Sequence, residues 1–233
     1  MPKGHELKKL VGPLLKRRPE LAYDRRIVFF RPLTHYLCGV TFISGFYGQY
    51  FSISAVVDQL FDGSPMLFLN RTAHNRALEK RVDESWLEDH DRAAVEISGT
   101  IEQHLLPTVA GVTQPADHVG SPTFPTVGAW SWSERAFSAC YYGDFDAAQE
   151  WADKVTEQDL TLVMRLYQEN LPDLPEEDLK FHPSVEGRCI YLSRLLRRDR
   201  DAVIPLLHEW ETYKVRKLKL EKYWQPTLFP CEK

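Results

Sequence analysis

Eight histidines and four cysteines are the side chains of this 233-residue sequence that could hold a metal or carry a nucleophile, so their spacing is the first question. A structural or catalytic zinc needs three or four N/S ligands, usually supplied by close pairs such as C-x-x-C or H-x-x-x-H. His5, His35, His74, His90, His104, His118, His182 and His208 form no H-x-x-x-H, no H-E-x-x-H and no close Cys/His set. Asp89-His90-Asp91 is the one histidine flanked by carboxylates, and it reads as a solvated loop between two helices. His208-Glu209 would need a distant partner. Cys38, Cys140, Cys189 and Cys231 are widely separated and read as reduced thiols, three of them among apolar neighbours where cysteine acts as a small hydrophobe. The expectation is no metal and no cofactor.

Nucleophilic catalysis would show a local signature such as G-x-S-x-G, and none is written. Gly45 and Gly48 make a G-x-x-G, but a phosphate cradle needs that loop to open a helix and carry Lys-Ser/Thr, so the pair reads as a turn. The carboxylates of Glu176-Glu177-Asp178 and of segment 84–91 cannot be paired into acid and base without a pocket. No catalytic residue is assigned. What remains is aromatic surface: Tyr36, Phe46, Tyr47 and Tyr50 gather around one hairpin loop, and Trp130 and Trp132 follow a loop-rich stretch. These six residues are the candidate binding set. Packing of the same rings into a core or between domains is the competing reading.

With 43% hydrophobic residues and 12% aromatic, the chain can bury a sizeable core without disulfides or metals. A net charge of −4 and a pI near 6.1 argue against a general nucleic-acid binder. Two basic clusters exist, one at Lys8, Lys9, Lys16, Arg17 and Arg18, the other at Lys214, Arg216, Lys217, Lys219 and Lys222. Both read as solvated helix faces, with nucleic-acid binding the rival. Neither a signal peptide nor an apolar run long enough to span a membrane is present, so the cytoplasm is expected.

The elements that must position these residues follow from periodicity. Leu7, Leu10, Val11 and Leu14 predict a helix, kinked at Gly12-Pro13 or restarted there. Residues 27–31, 33–44 and 50–58 read as strands, the last two joined by the hairpin loop 44–49. In the third, Phe51, Ile53, Ala55 and Val57 alternate with Tyr50, Ser52, Ser54 and Asp58, which predicts one core face and one facing solvent or a groove. Residues 66–69 could add a short strand. Leu78, Val82 and Trp86 predict a helix, as do Ala94, Ile97, Ile101 and Leu105, the latter stopped by Pro107.

Later the pattern is helical. One helix carries Ala136, Phe137 and Cys140 and ends at Gly143; Asp144 or Asp146 caps the next, with Ala147, Ala148, Trp151 and Val155 inward. Thr156 and Asp159 suggest a further cap leading into Leu160, Val163, Met164 and Tyr167, and Ser184 caps a helix through Leu196. A last helix carries Leu206, Leu207 and Trp210. Segments 143–148 and 198–203 share an x-Asp-x-Asp-Ala-apolar frame, about 55 residues apart rather than the roughly 34 of tetratricopeptide arrays. They predict two similar hairpins. The fold class is therefore α+β, a small antiparallel sheet flanked by helices and followed by a helical half. The expected domains are 1–107, a Gly/Pro/Ser-rich seam or linker at 108–132, and 133–233, with packing of the last on the first as one unit the alternative to independent halves.

The N-terminal helix, Phe29-Phe30-Arg31, the alternating hairpin, Ser85-Trp86-Leu87 and the helix end Ile101-Glu102-Gln103-His104-Leu105-Leu106-Pro107 together resemble a bacterial family of domains of unknown function, number 4304, over about the first 110 residues. That resemblance implies an α+β domain and brings no catalytic residues. Fold-level analogy adds partner-binding and toxin-immunity proteins as the expected company. The function expected is a non-enzymatic cytoplasmic protein-binding module, immunity-like in kind, with another protein as partner. The alternative is a hydrolase or transferase whose site lies between sheet and helices.

Overall fold

The computed structural model describes residues 4–44, 50–66, 79–83, 89–119, 129–158 and 170–233. It is an α+β protein: an antiparallel sheet with helices comes first and a mainly helical half follows. The chain divides into two compact units, residues 1–58 with 68–123, and residues 59–67 with 124–233.

In the first unit, α1 (Gly4–Arg17) runs unbroken through Pro13 and buries Leu7, Leu10, Val11 and Leu14. Two features let it continue. Gly12 has no Cβ to meet the proline ring, and Pro13 sits on the exposed face, where the carbonyl that loses its donor can meet water. Five strands follow in spatial order, β1 (Leu21–Asp24), β2 (Ile27–Phe30), β3 (Tyr36–Ser44), β4 (Tyr50–Gln59) and β5 (Glu79–Asp83). β1 and β2 form a hairpin in which Arg25 takes a left-handed conformation. β2 crosses β3 with Phe29 opposite Gly39, and a side chain at Gly39 would stand 2.1 Å from the Val28 carbonyl oxygen. The close strand approach there requires glycine.

Two expectations change at this sheet. Leu78, Val82 and Trp86 predict a helix, yet Glu79–Asp83 is a strand paired antiparallel with β4, Val82 opposite Phe51. Three apolar residues at four-residue spacing fit a helix stripe, but the free hydrogen-bonding edge of β4 recruits the segment instead. Leu78 and Trp86 lie outside the described residues, as do Ser85 and Leu87. Nor does β4 have a solvent face: Ser52, Ser54, Val56 and Asp58 are as buried as Phe51, Ile53, Ala55 and Val57. Alternation records polarity, whereas exposure depends on what covers the second face. Met66 lies in a bend, and residues 67–69 lie outside the described set.

Asp89 caps α2 (His90–Thr100) by accepting from the Arg92 N–H, so His90 opens a helix rather than occupying a loop. A π turn over Ile101–Leu105 and a 3-10 turn over Leu106–Thr108 carry the chain past Pro107. α1 packs on α2, with the Ser98 hydroxyl donating to the Leu10 carbonyl. A short α3 (Pro115–Val119) closes the described part of this unit.

The second unit is built from α4 (Ala129–Tyr142), α5 (Phe145–Gln158), α6 (Glu176–Lys180), α7 (Val185–Arg198) and α8 (Val203–Lys217). α4 ends at Gly143 in the left-handed conformation, and the Asp144 N–H reaches back to the Ala139 carbonyl. The Asp144 side chain then caps α5 through the Ala147 N–H. Ala148, Ala152 and Val155 form its buried stripe, with Trp151 half-buried. The Ser184 hydroxyl caps α7 through the Gly187 N–H at 3.1 Å. Arg200, in the 3-10 turn before α8, donates to Asp146 at 2.6 Å, so the two Asp-x-Asp-like turns lie side by side. The helix expected over Leu160 to Tyr167 falls outside the described residues, as does Asp159.

Two glycines separate packing from propensity. Gly39→Ala is expected to lower the unfolding free energy by about 1–3 kcal/mol, since a methyl group must displace the neighbouring strand. Gly99→Ala, inside α2 where added atoms meet nothing within 4 Å, is expected to raise it by about 0.5–1 kcal/mol. Urea denaturation of both variants against the parent measures the two signs.

Candidate functional site

The six aromatic residues singled out in the sequence do not share one described place. Tyr36 opens β3 and is only 5% exposed, so its ring is packed rather than presented. Phe46 and Tyr47 lie outside the described residues. Tyr50 begins β4 opposite Asp83, and Trp130 lies in the first turn of α4, both with side chains outside the described set. Trp132 is half-buried on the same helix.

What the helical unit does bring together is a set of buried charges that sequence spacing does not reveal. Residues 59–64, continuous with the end of β4, turn inside this unit. Asp62 and Lys214 are both fully buried, with Lys214 Nζ donating to Asp62 Oδ1 at 2.9 Å and to the Gln59 carbonyl at 2.7 Å. Asp62 also accepts from the Ser64 N–H, closing the turn on itself. The Asp62 carbonyl receives Arg188 Nε at 2.7 Å, and the same guanidinium donates to the carbonyls of His182, Pro183 and Ser184. Gly63 is left-handed and lies flat on the Trp210 indole, where any side chain would stand 2.8 Å from the ring. Phe61, Tyr141 and Phe229 form a mutual ring cluster, with Phe61 at centroid distances of 5.4 and 5.5 Å from the other two. Segment 59–64 is thus clasped from three sides by α4, α7 and α8. The expectation that Lys214 stands on a solvated basic face is corrected: this residue serves the interior, because one fully buried carboxylate needs a cation.

His182 and Ser184 form a Ser–His contact, with Nδ1 and Oγ 2.8 Å apart. Nδ1 also accepts the Ser184 N–H, so it carries no proton and the hydroxyl donates to it. Both residues are buried, and the same hydroxyl accepts the Gly187 N–H at the head of α7. The geometry is that of a helix cap braced by a histidine, with the nucleophile's oxygen already engaged.

The outer face of α8 differs in kind. It lines an open groove of about 670 Å³ with two parallel rows, His208, Thr212 and Arg216 beside Glu209, Tyr213 and Lys217. Residues four apart stack along one side of a helix, which is why the rows align. Phe181, at the end of α6, packs on Tyr213 with centroids 4.3 Å apart and ring planes tilted by 39°. Lys217 Nζ lies 5.3 Å from the Tyr213 centroid and Lys180 Nζ 5.5 Å from that of Phe181, both within cation–π reach. Lys180 pairs with Glu209 at 2.5 Å. At the start of the groove His208 Nε2 donates to Glu232 at 2.8 Å, and its ring lies 4.6 Å from Phe229. A half-buried aromatic pair flanked by cations suits recognition of a ligand carrying rings and negative charge. The sequence held this signal in the i, i+4 spacing of the last helix, but Phe181 and Lys180 join it only through the fold.

Among the described residues no group of three His, Cys, Asp or Glu is placed to hold a metal ion, and no helix is long and apolar enough to cross a membrane. Burial pushes the Cys38 thiol up to about 12, and raises those of Cys140 and Cys189 as well. Cys231 is exposed.

Two outcomes are expected. In the native protein a thiol-reactive disulfide reagent labels Cys231 first, and the other three thiols react only on unfolding, as absorbance at neutral pH with and without denaturant would reveal. Lys214→Met removes the ammonium that meets the buried Asp62 carboxylate and is expected to cost about 3–5 kcal/mol, of which adding Asp62→Asn recovers part. Denaturant melts of the single and double variants measure the coupling.

No protein-family model, no curated protein and no solved structure matches the chain.

Proposed function

We propose that this chain is a non-enzymatic protein-binding module of the cytoplasm, and that the α8 groove is its docking face. The observation that carries the reading is the groove itself, a closely packed, tilted Phe181–Tyr213 pair edged by Lys180, Arg216 and Lys217 on α8. Rings that are partly exposed and already positioned bury large area at small entropic cost, which is the property of interface anchors. The core side of α8 is fixed by Trp210 and Lys214, so the outer face keeps its geometry when nothing is bound. An immunity-like role and kinship of the N-terminal unit with the family of domains of unknown function number 4304 belong to the same proposal. They rest on residue pattern and analogy.

A photo-crosslinking residue at Thr212 in the full-length chain tests the docking face in cells that produce it. The expected result is a discrete protein adduct that disappears when Tyr213→Ala is added. Absence of any adduct, or an adduct unchanged by Tyr213→Ala, overturns the assignment.

A further inference from the structure

We infer that the occupant of the α8 groove is an acidic segment of a partner protein, short and extended, with an aromatic residue close to its carboxylates. This rests on the docking reading above and specifies its chemistry. The chain supplies its own example. Phe229 is fully buried with its ring 4.6 Å from that of His208. Three residues on, Glu232 accepts from His208 and from the Phe229 N–H through one oxygen. A carboxylate is thus already held by His208 at one end of the groove, beside a ring that is itself packed in the core against Phe61 and Tyr141.

The same pair of chemistries recurs further along α8. Tyr213 provides the ring, and Arg216 and Lys217 provide the charge, one turn and two turns beyond His208. Among the described residues no carboxylate is paired with Arg216 or Lys217, both of which are exposed. The groove carries net positive charge although the whole chain carries −4, so an acidic ligand meets a complementary patch on a repelling background. From His208 to Arg216 the helix rises about 12 Å, the reach of about four extended residues. The chain's net charge of −4 opposes a phosphate polyanion more than a short segment bearing a few carboxylates, which favours a peptide.

The experiment measures fluorescence polarisation of labelled hexapeptides with the full-length protein. One probe carries a phenylalanine followed by glutamates, and its control carries glutamines in their place; oligothymidylate is the third. The acidic peptide is expected to bind about tenfold more tightly than the control, and the double variant Arg216→Glu with Lys217→Glu to reverse that preference. Both substituted residues are exposed, and an unchanged circular dichroism spectrum shows that the variant is folded. Equal binding of both peptides, or indifference to charge reversal, overturns the inference. So does oligothymidylate displacing the acidic peptide, which would point to nucleic acid. The two readings fail separately. An adduct at Thr212 that survives charge reversal keeps the docking face and removes the acidic specificity, whereas acidic peptide binding without a cellular adduct removes the module and leaves the recognition chemistry.

Discussion

An ammonium and a carboxylate held 2.9 Å apart, both wholly out of water, organise the helical unit. Burying either charge alone is costly, and the contact between Asp62 and Lys214 offsets part of that cost for both. Their pairing fixes where segment 59–64 lies. The same segment sets Gly63 against Trp210, brings Phe61 against Tyr141 and Phe229, and turns the Asp62 carbonyl toward Arg188. Arg188 then gathers the three carbonyls that precede α7, and the cap at Ser184 forms on that support. Apolar packing supplies most of the burial, but it is indifferent to register. The ion pair and its hydrogen bonds add directional contacts that tie segment 59–64 to α7 and α8.

α8 shows how one helix serves two demands. Its inward residues Trp210, Lys214 and Val215 meet the core, and its outward rows form the aromatic and cationic groove. The two faces interleave in sequence, so Lys214 and Lys217 look equivalent in a linear reading although one is buried and the other exposed. Rigidity on the inner face is what makes the outer face a ready-made surface.

Local signals were legible where the physics is local. Gly143, Asp144 and Ser184 announce helix ends because a left-handed residue and a side-chain acceptor are needed at that very position. The α4–α5 hairpin and α7 follow from them. The sheet was legible in its interior strands, which are rich in branched and aromatic residues, and not at its margins. β1 has four residues, too few for a period, and β5 reads Glu-Lys-Arg-Val-Asp, whose strand conformation comes from the edge it pairs with. The buried charges were illegible for a related reason. Asp62 and Lys214 are 152 residues apart, and nothing near either one records the other. The groove is half legible, its α8 rows in the spacing and its Phe181 wall only in three dimensions.

The clasped segment also alters what counts as a separable piece of this chain. Residues 59–67 belong with 124–233, although in sequence they interrupt the sheet-bearing unit. Contacts such as Arg188 to Asp62, spanning 126 residues, close very long loops at a cost in chain entropy. During synthesis the helices emerge after the segment they enclose, so the enclosed strand end has to wait for its enclosure. A fragment cut at the Gly/Pro-rich stretch would carry the helices but lack the carboxylate for Lys214, the ring beside Tyr141 and the glycine beneath Trp210. Cutting the chain at its most obvious seam would separate a lock from its key.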